Sequence, residues 1–238
     1  MGIVRAPALQ LRAQLSLAWV ATAMVLLAGL ALQANAAERN DLEAFEVEVV
    51  ARGLRYPWSV AFLPDQRMLV TERGGAMRLV ARDGQVSPPI AGLPKVADKG
   101  QGGLLAVVLH PHFARNQMIY FSYAARDQAG YGTEVARAQL RDHALHEVTT
   151  VFRAAPKSGV GRHFGSRLLF LPDGTLLITL GDRGHRPNGQ HLGTHTGSII
   201  RIHDDGRVPV DNPFVALDGV RPEIYSFGQR NVQGITFD

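Results

Sequence analysis

A histidine and an aspartate, His163 and Asp182, stand on the two sides of a short hairpin pattern. The apolar runs 168–171 and 176–180 are separated by Pro-Asp-Gly-Thr at 172–175, which is typical of a turn. Because the outer ends of two antiparallel strands return to the same end of a sheet, we expect the imidazole and the carboxylate to meet. A carboxylate that orients an imidazole is a common arrangement of a general base. The spacing therefore predicts proton-transfer chemistry.

Short strands of one recurring type must position these two side chains. Segments 58–65, 104–112 and 167–173 share a template in which an apolar strand is closed by proline and a polar turn. A second apolar strand follows each of them, and Asp-Gly turns separate further strands. The strands predicted are 58–63, 68–71, 76–81, 104–109, 118–123, 135–140, 148–152, 168–171, 176–180, 199–202, 224–227 and 234–237.

The template recurs at intervals of roughly 45 to 65 residues, the spacing of four-stranded blades with loop insertions. An all-β fold of β-propeller type is therefore predicted. A β-sandwich is the alternative, although it needs only local alternation and no long-period recurrence. The segment 234–238 resembles the opening of another copy of the template. We expect the chain to be a truncated propeller of roughly four blades, at about 50 residues for each blade.

The first 36 residues have the pattern of an export signal. Arg5 and Arg12 precede an apolar run at 15–32, and Ala-Asn-Ala at 34–36 provides a small-x-small cleavage pattern before Ala37. A signal peptide over 1–36, a propeller domain over 37–238 and a periplasmic location are the expectations. The alternative is an uncleaved anchor, because about 18 apolar residues can just span a bilayer.

Composition narrows the classes of partner. The chain has 238 residues, of which 46% are hydrophobic and 19% charged, which is ordinary for a globular protein with a core. The formal net charge of +4 includes two arginines of the leader, and no Lys/Arg cluster with interleaved aromatics occurs. We expect no nucleic-acid partner and no stable membrane insertion after signal cleavage. The chain has no cysteine, so an oxidising compartment would neither stabilise the fold through disulfide bonds nor damage it.

Four segments, which include the hairpin described above, carry a resemblance to a known family. They are Gly-Gln-Gly-Gly-Leu-Leu at 100–105 with His-Pro-His-Phe at 110–113, the stretch 162–184, the stretch 197–214, and Ile-Tyr-Ser-Phe-Gly-Gln-Arg-Asn-Val-Gln-Gly at 224–234. In these residues, their order and their separations, the chain resembles the soluble pyrroloquinoline quinone (PQQ) dependent aldose dehydrogenases of the glucose/sorbosone dehydrogenase family. The resemblance implies a six-bladed propeller with the quinone over its central channel.

The resemblance also implies roles for five residues. His163 would be the general base that takes the proton of the anomeric hydroxyl while hydride passes to the quinone, and Asp182 would orient that imidazole. Gln101, Arg230 and Asn231 match the family's cofactor contacts. PQQ carries three carboxylates and reactive carbonyls, which a guanidinium and amide donors suit.

The implied cofactors are PQQ and Ca²⁺. Calcium prefers oxygen ligands, and its ligands are expected beyond residue 238, so no metal-binding residue is assigned. The implied partners are an aldose, which is oxidised to a lactone, and an electron acceptor that the sequence does not identify. The 238-residue chain by itself is expected to be inactive.

Three alternatives stay open at the level of sequence. Since one fold hosts many functions, the propeller could bind carbohydrate or protein without catalysis. It could also be a metal-dependent lactonase, which needs a carboxylate-rich channel. Finally, His185, His191 and His195 lie within one loop-like stretch, and three imidazoles could in principle bind zinc.

Overall fold

The computed structural model describes residues 46–237, which are built almost entirely from antiparallel β-strands. The predicted signal peptide lies outside the described residues. The strands are β1 (Pro57–Phe62), β2 (Met68–Glu72), β3 (Ala76–Val80), β4 (Leu104–Leu109), β5 (Met118–Asp127), β6 (Gly130–Arg141), β7 (Ala144–Arg153), β8 (Leu168–Phe170), β9 (Leu176–Thr179), β10 (Ser198–Ile202) and β11 (Ile224–Phe227). A short helix α1 (Phe113–Asn116) and one 3₁₀ turn (Arg186–Gln190) interrupt them.

The strands form three sheets in which each strand pairs with its neighbours in sequence. Their orders are β1-β2-β3, β4-β5-β6-β7 and β8-β9-β10-β11, and we refer to these sheets as blades 1, 2 and 3. The first strands of successive blades lie against each other, β1 against β4 and β4 against β8. Successive meanders joined at their first strands are the arrangement of a β-propeller, which confirms the predicted fold class. The described residues do not form the two facing sheets of a sandwich.

The predicted number of blades differs from the structure. Residues 46–237 form three sheets rather than four, and the predicted strand 234–237 is not formed. That segment has no neighbouring strand among the described residues, and Phe237 is largely exposed. A strand without a neighbour leaves its backbone groups unpaired, so an apolar pattern alone does not produce one.

Strand β5 of blade 2 is buried on both faces, so blade 2 packs against blade 1 on one side and against blade 3 on the other. Phe121 of β5 packs with Leu69 of blade 1, whereas the adjacent Tyr120 packs on the opposite face with Ile178 and Ile200 of blade 3. Successive residues of a strand point to opposite faces, so a fully apolar strand can serve two cores. The two cores therefore anchor the sheets from which the loops of the site extend.

None of the helices within residues 46–237 is both long and apolar enough to cross a bilayer.

Candidate functional site

The hairpin β8–β9 brings His163 and Asp182 together, as the sequence predicts. Leu168 pairs with Ile178 and Phe170 with Leu176, so the flanking segments leave the sheet at one end. There the imidazole Nδ1 lies 2.6 Å from Asp182 Oδ1. A carboxylate can only accept, so Nδ1 carries the proton and Nε2 is the basic nitrogen of the neutral ring. Nε2 has no hydrogen-bond partner among the described residues, and the side chain is 14% exposed.

The turn of this hairpin is held by its own side chains. Asp173 accepts hydrogen bonds from the backbone and hydroxyl of Thr175 at 2.9 and 2.6 Å, and from Arg201 at 2.7 Å. The bonds from Thr175, with the Arg201 guanidinium, lower the pKa of Asp173 to about 2. The Asp173 carboxylate therefore stays ionised at neutral pH and holds the turn, which closes the hairpin at the end opposite to His163 and Asp182.

The backbone of His163 is held in an uncommon conformation. Its φ of 56° lies in the left-handed region, which residues other than glycine adopt rarely. The Gln101 side-chain oxygen accepts from the His163 N–H at 2.8 Å. Gly181 lies directly beneath, and a Cβ at that position would collide with the His163 carbonyl. Two contacts that are distant in sequence therefore support the conformation that aims the imidazole.

Asp182 is buried, with 2% of its surface exposed. Burial alone would raise the pKa of this carboxyl. The hydrogen bonds from His163 and from Gly184 N–H (2.7 Å), together with the charge of Arg230, outweigh burial and lower the pKa below its ordinary value. The carboxylate is therefore ionised at neutral pH and can stabilise a protonated imidazole.

The three predicted cofactor contacts lie around this pair. Gly181 and Asn231 form a β-bridge, and the Asp182 N–H donates to the Arg230 carbonyl at 2.8 Å. The Asn231 oxygen accepts from Gly165 N–H at 3.0 Å. The structure thus brings all five sequence-predicted site residues into one cluster.

The donors of this cluster suit an anionic ligand rich in carbonyl groups. The amide oxygens of Gln101 and Asn231 are both occupied by N–H donors, which leaves their NH₂ groups to donate. The Arg230 guanidinium is exposed and donates to no acceptor within 46–237. Planar guanidinium and amide donors match the carboxylates and carbonyl oxygens of PQQ. The residues present therefore fit the implied cofactor.

A cleft of about 480 Å³ adjoins the cluster. Its walls include Gln101 and Asn231, and also Trp58, Leu105 and Phe164, which sequence reasoning did not single out. Trp58 directly follows Pro57 at the start of β1, and its indole N–H is buried without an acceptor among the described residues. The sequence offers one signal for Trp58, namely that it is an aromatic residue in a strand of the recurring template. An aromatic residue in such a strand is equally typical of the core, so the signal does not identify a site residue.

A larger cleft of about 640 Å³ lies beside Lys157 and Glu134, but its buried charged groups are already paired. Lys157 Nζ lies 2.7 Å from Glu134 and 3.0 Å from Asp127, and Tyr123 donates to Glu134 at 3.0 Å. Buried charges that satisfy one another are typical of structural networks. We therefore place the site at the smaller cleft, because its walls include Gln101, whose side chain contacts the His163 backbone, and Asn231, and because their NH₂ groups are unpaired within the described chain.

The zinc alternative is not supported by the structure. Among residues 46–237 no three His, Cys, Asp or Glu side chains cluster as metal ligands. His195 is buried and structural: its Nδ1 accepts from Ala155 N–H at 3.0 Å, and its Nε2 lies 3.3 Å from Glu223. His185 and His191 are exposed. The loop folds around one satisfied histidine rather than around a metal.

Replacing His195 by leucine is expected to lower the free energy of unfolding by about 1–3 kcal/mol, because Ala155 N–H and Glu223 lose a partner. Thermal denaturation should show a Tm lower by roughly 3–10 °C. The bond from His195 lowers the pKa of Glu223, so this stabilisation is present above the unfolded pKa of about 4.3 and is lost as pH falls through the lower folded value. The exposed His191→Leu is the control, and an equal loss in both variants would contradict the structural role.

Comparison with known proteins gives a consistent result. The family profile "Glucose / Sorbosone dehydrogenase" matches residues 54–238. Aldose sugar dehydrogenase YliI of Escherichia coli K12 is 45% identical over 197 residues, which cover 81% of this chain and 53% of that protein. The crystal structure of the E. coli soluble aldose sugar dehydrogenase in its apo form is 44% identical with a TM-score of 0.76, covering 78% of this chain and 55% of that one.

Two more distant similarities bear on function. The PQQ-bound aldose sugar dehydrogenase of Streptomyces coelicolor is 31% identical with a TM-score of 0.68, over 78% of this chain and 54% of that chain. Human Hedgehog-interacting protein is 27% identical over 80% of this chain and 31% of its own length. The chain spans about half the length of the curated enzymes it matches.

Proposed function

The chain belongs to the glucose/sorbosone dehydrogenase family, and from that premise we propose that its full-length protein is a PQQ-dependent aldose dehydrogenase. Its product is the lactone formed by oxidation at the anomeric carbon. One observation carries the proposal: a buried aspartate holds Nδ1 of His163, which leaves Nε2 unpaired among the described residues beside two amide donors and a guanidinium. A pure binding module has no need of an oriented base.

His163 accepts the proton of the anomeric hydroxyl at Nε2. The resulting imidazolium donates through Nδ1 to Asp182, whose negative charge stabilises it. PQQ, when bound, supplies the electron sink that takes hydride from the anomeric carbon. Removal of one proton and one hydride converts the hemiacetal carbon to the lactone carbonyl, so atoms and electrons balance. Gln101 acts before the reaction, because its bond to the His163 backbone keeps the imidazole aimed.

Arg230, Asn231 and Gln101 would hold PQQ through its carboxylates and carbonyl oxygens. We expect Arg230→Met to weaken PQQ binding about 10- to 150-fold, since hydrogen bonds to charged groups contribute about 1.5–3 kcal/mol. Quenching of tryptophan fluorescence during PQQ titration measures the affinity. Arg207→Met, an exposed arginine of a β-turn paired with Asp205, is the matched control. Equal affinity of both variants would remove Arg230 from the cofactor site.

The direct test is dye reduction by the full-length protein. Apoprotein mixed with PQQ and Ca²⁺ should reduce an electron-accepting dye when an aldose is added. We propose that the Ca²⁺ ligands lie beyond residue 238, so the 238-residue chain alone should show little or no activity. A full-length protein that binds PQQ yet oxidises no aldose would contradict the proposal. Besides the aldose, the reaction needs a physiological electron acceptor, for which the dye substitutes in this test.

A non-catalytic propeller that binds carbohydrate or protein is the second candidate. The similarity to Hedgehog-interacting protein favours it, because that name describes an interaction rather than a reaction. It predicts sugar or protein binding that is independent of PQQ. The lactonase alternative needs several carboxylates in the channel, whereas the cluster described above contains one, Asp182.

We also propose that the protein is exported to the periplasm, because residues 1–36 have the pattern of a signal peptide. Cleavage should leave Ala37 as the first residue, which amino-terminal sequencing of the exported protein would check. Retention of the intact leader in the membrane fraction would favour the anchor instead.

A further inference from the structure

Arg183 directly follows Asp182 and is buried, with 7% of its surface exposed. Its guanidinium carbon lies 3.8 Å from the centre of the Phe164 ring, and its Nη2 donates to the Val160 carbonyl. The Arg183 backbone has a φ of 58°, again in the left-handed region, which turns the side chain back towards residues 160–164. Arg183 therefore connects the turn that carries Asp182 to the loop that carries His163.

Phe164, the ring that Arg183 covers, is itself anchored in blade 2. It is buried beside Leu105 and Ala124, and its carbonyl accepts from the Thr133 hydroxyl at 2.8 Å. His163 precedes this anchored residue, whereas Asp182 follows β9 of blade 3. The position of the imidazole thus depends on blade 2 as well as on the blade 3 hairpin that carries Asp182. Apart from the 2.6 Å bond itself, Arg183 is a direct side-chain connection between their two segments.

From these contacts we propose that Arg183 is a positioning residue, which sets the length and direction of the His163–Asp182 hydrogen bond. The inference rests on the proposed function only for its kinetic consequence. The hydrogen bond exists in the apo chain and can be measured there. Arg183 touches neither the base nitrogen nor the proposed cofactor contacts, so it acts through the pair and not on the substrate.

The charge of Arg183 argues against a role in packing alone. Burial lowers the pKa of its guanidinium to about 10, although the charge of Asp182 opposes this, so the group stays cationic at neutral pH. Its Nε and Nη1 are buried without acceptors in the described part of the chain. An apolar side chain would fill the same space without the cost of desolvating a cation. What the cation adds is attraction to the face of Phe164 and to Asp182.

The test compares Arg183→Met and Arg183→Lys with Arg201→Met as the matched control. Arg201 is likewise a buried arginine of blade 3, but its partners are Asp173 and Asp211, away from the imidazole. A proton in a short His–carboxylate bond gives a low-field NMR signal, which can be assigned by its loss in His163→Gln. We expect Arg183→Met to shift or broaden that signal in the full-length apoprotein. Arg183→Lys should restore it in part, because it keeps the charge but not the planar stack.

In the full-length enzyme, Arg183→Met should lower kcat about 10- to 100-fold with little change in the KM for aldose, as expected for a misplaced base. Arg201→Met should lower Tm while leaving the NMR signal and kcat unchanged. If Arg183→Met lowers Tm but leaves the signal in place, the residue is structural and the inference is wrong. Absence of dye reduction in the unmodified full-length protein would instead refute the proposed function, and the NMR result would still decide the role of Arg183.

Discussion

Replacing His163 by glutamine is expected to lower kcat for aldose oxidation about 10²- to 10⁴-fold, the usual contribution of a positioned general base. Glutamine can still donate to Asp182 but cannot accept the substrate proton. The Gln101 contact uses the backbone N–H of residue 163, so it should survive the substitution. PQQ affinity should therefore stay within about threefold, since no hydrogen bond to a charged group is removed. Stopped-flow dye reduction and a PQQ titration measure the two quantities separately.

His191→Gln, an exposed loop histidine outside the cluster, is the control for the His163 substitution. It should leave kcat unchanged. Undiminished dye reduction in His163→Gln would remove the assignment of the base, whatever the cofactor affinity. A parallel loss of PQQ binding and activity would instead make His163 a cofactor contact.

Substitutions of Asp182 are expected to have the second large effect on kcat. Two substitutions separate the contribution of its charge from that of its hydrogen bonds. Asp182→Asn keeps an oxygen that can accept from His163 and Gly184 but removes the negative charge, whereas Asp182→Ala removes both. We expect kcat to fall about 10- to 150-fold in Asp182→Asn, which corresponds to the roughly 1.5–3 kcal/mol of a charged hydrogen bond. The loss in Asp182→Ala should be larger.

The same pair predicts a dependence of stability on pH. The pKa of Asp182 is lower in the folded state than its unfolded value of about 3.9, so the ionised carboxylate stabilises the fold above that pH. The stabilisation is lost as pH falls through the folded pKa. Chemical denaturation at pH 7 and near pH 3 should therefore show a gap between Asp182→Asn and the unmodified chain that narrows in acid. A constant gap would mean that the pKa of Asp182 is the same in the folded and unfolded states, which would contradict the lowered folded pKa.

Most strands were predictable because their signals are local. The apolar runs of β8 and β9 and the Pro-Asp-Gly-Thr turn between them are a few residues long, and the structure forms that hairpin with Asp173 bonded to Thr175. The strands β5 and β6 extend further than predicted, to Asp127 and from Gly130. The added residues include the polar pairs Arg126–Asp127, which are exposed, and Thr133–Glu134, which are buried, so no apolar run marks them. Pairing with a neighbour, rather than hydrophobicity, decides where such a strand ends.

The amino-acid sequence by itself determined the encounter of His163 with Asp182, since a short hairpin leaves its flanking residues little choice of position. Only the tertiary structure decided what surrounds that pair. Gln101 reaches the His163 backbone across 62 residues, and Asn231 reaches Gly165 across 66. Arg183 lies over Phe164 because blades 2 and 3 pack face to face. Contacts of this kind depend on how buried surfaces of separate sheets fit together, and periodicity along the chain carries no information about that fit.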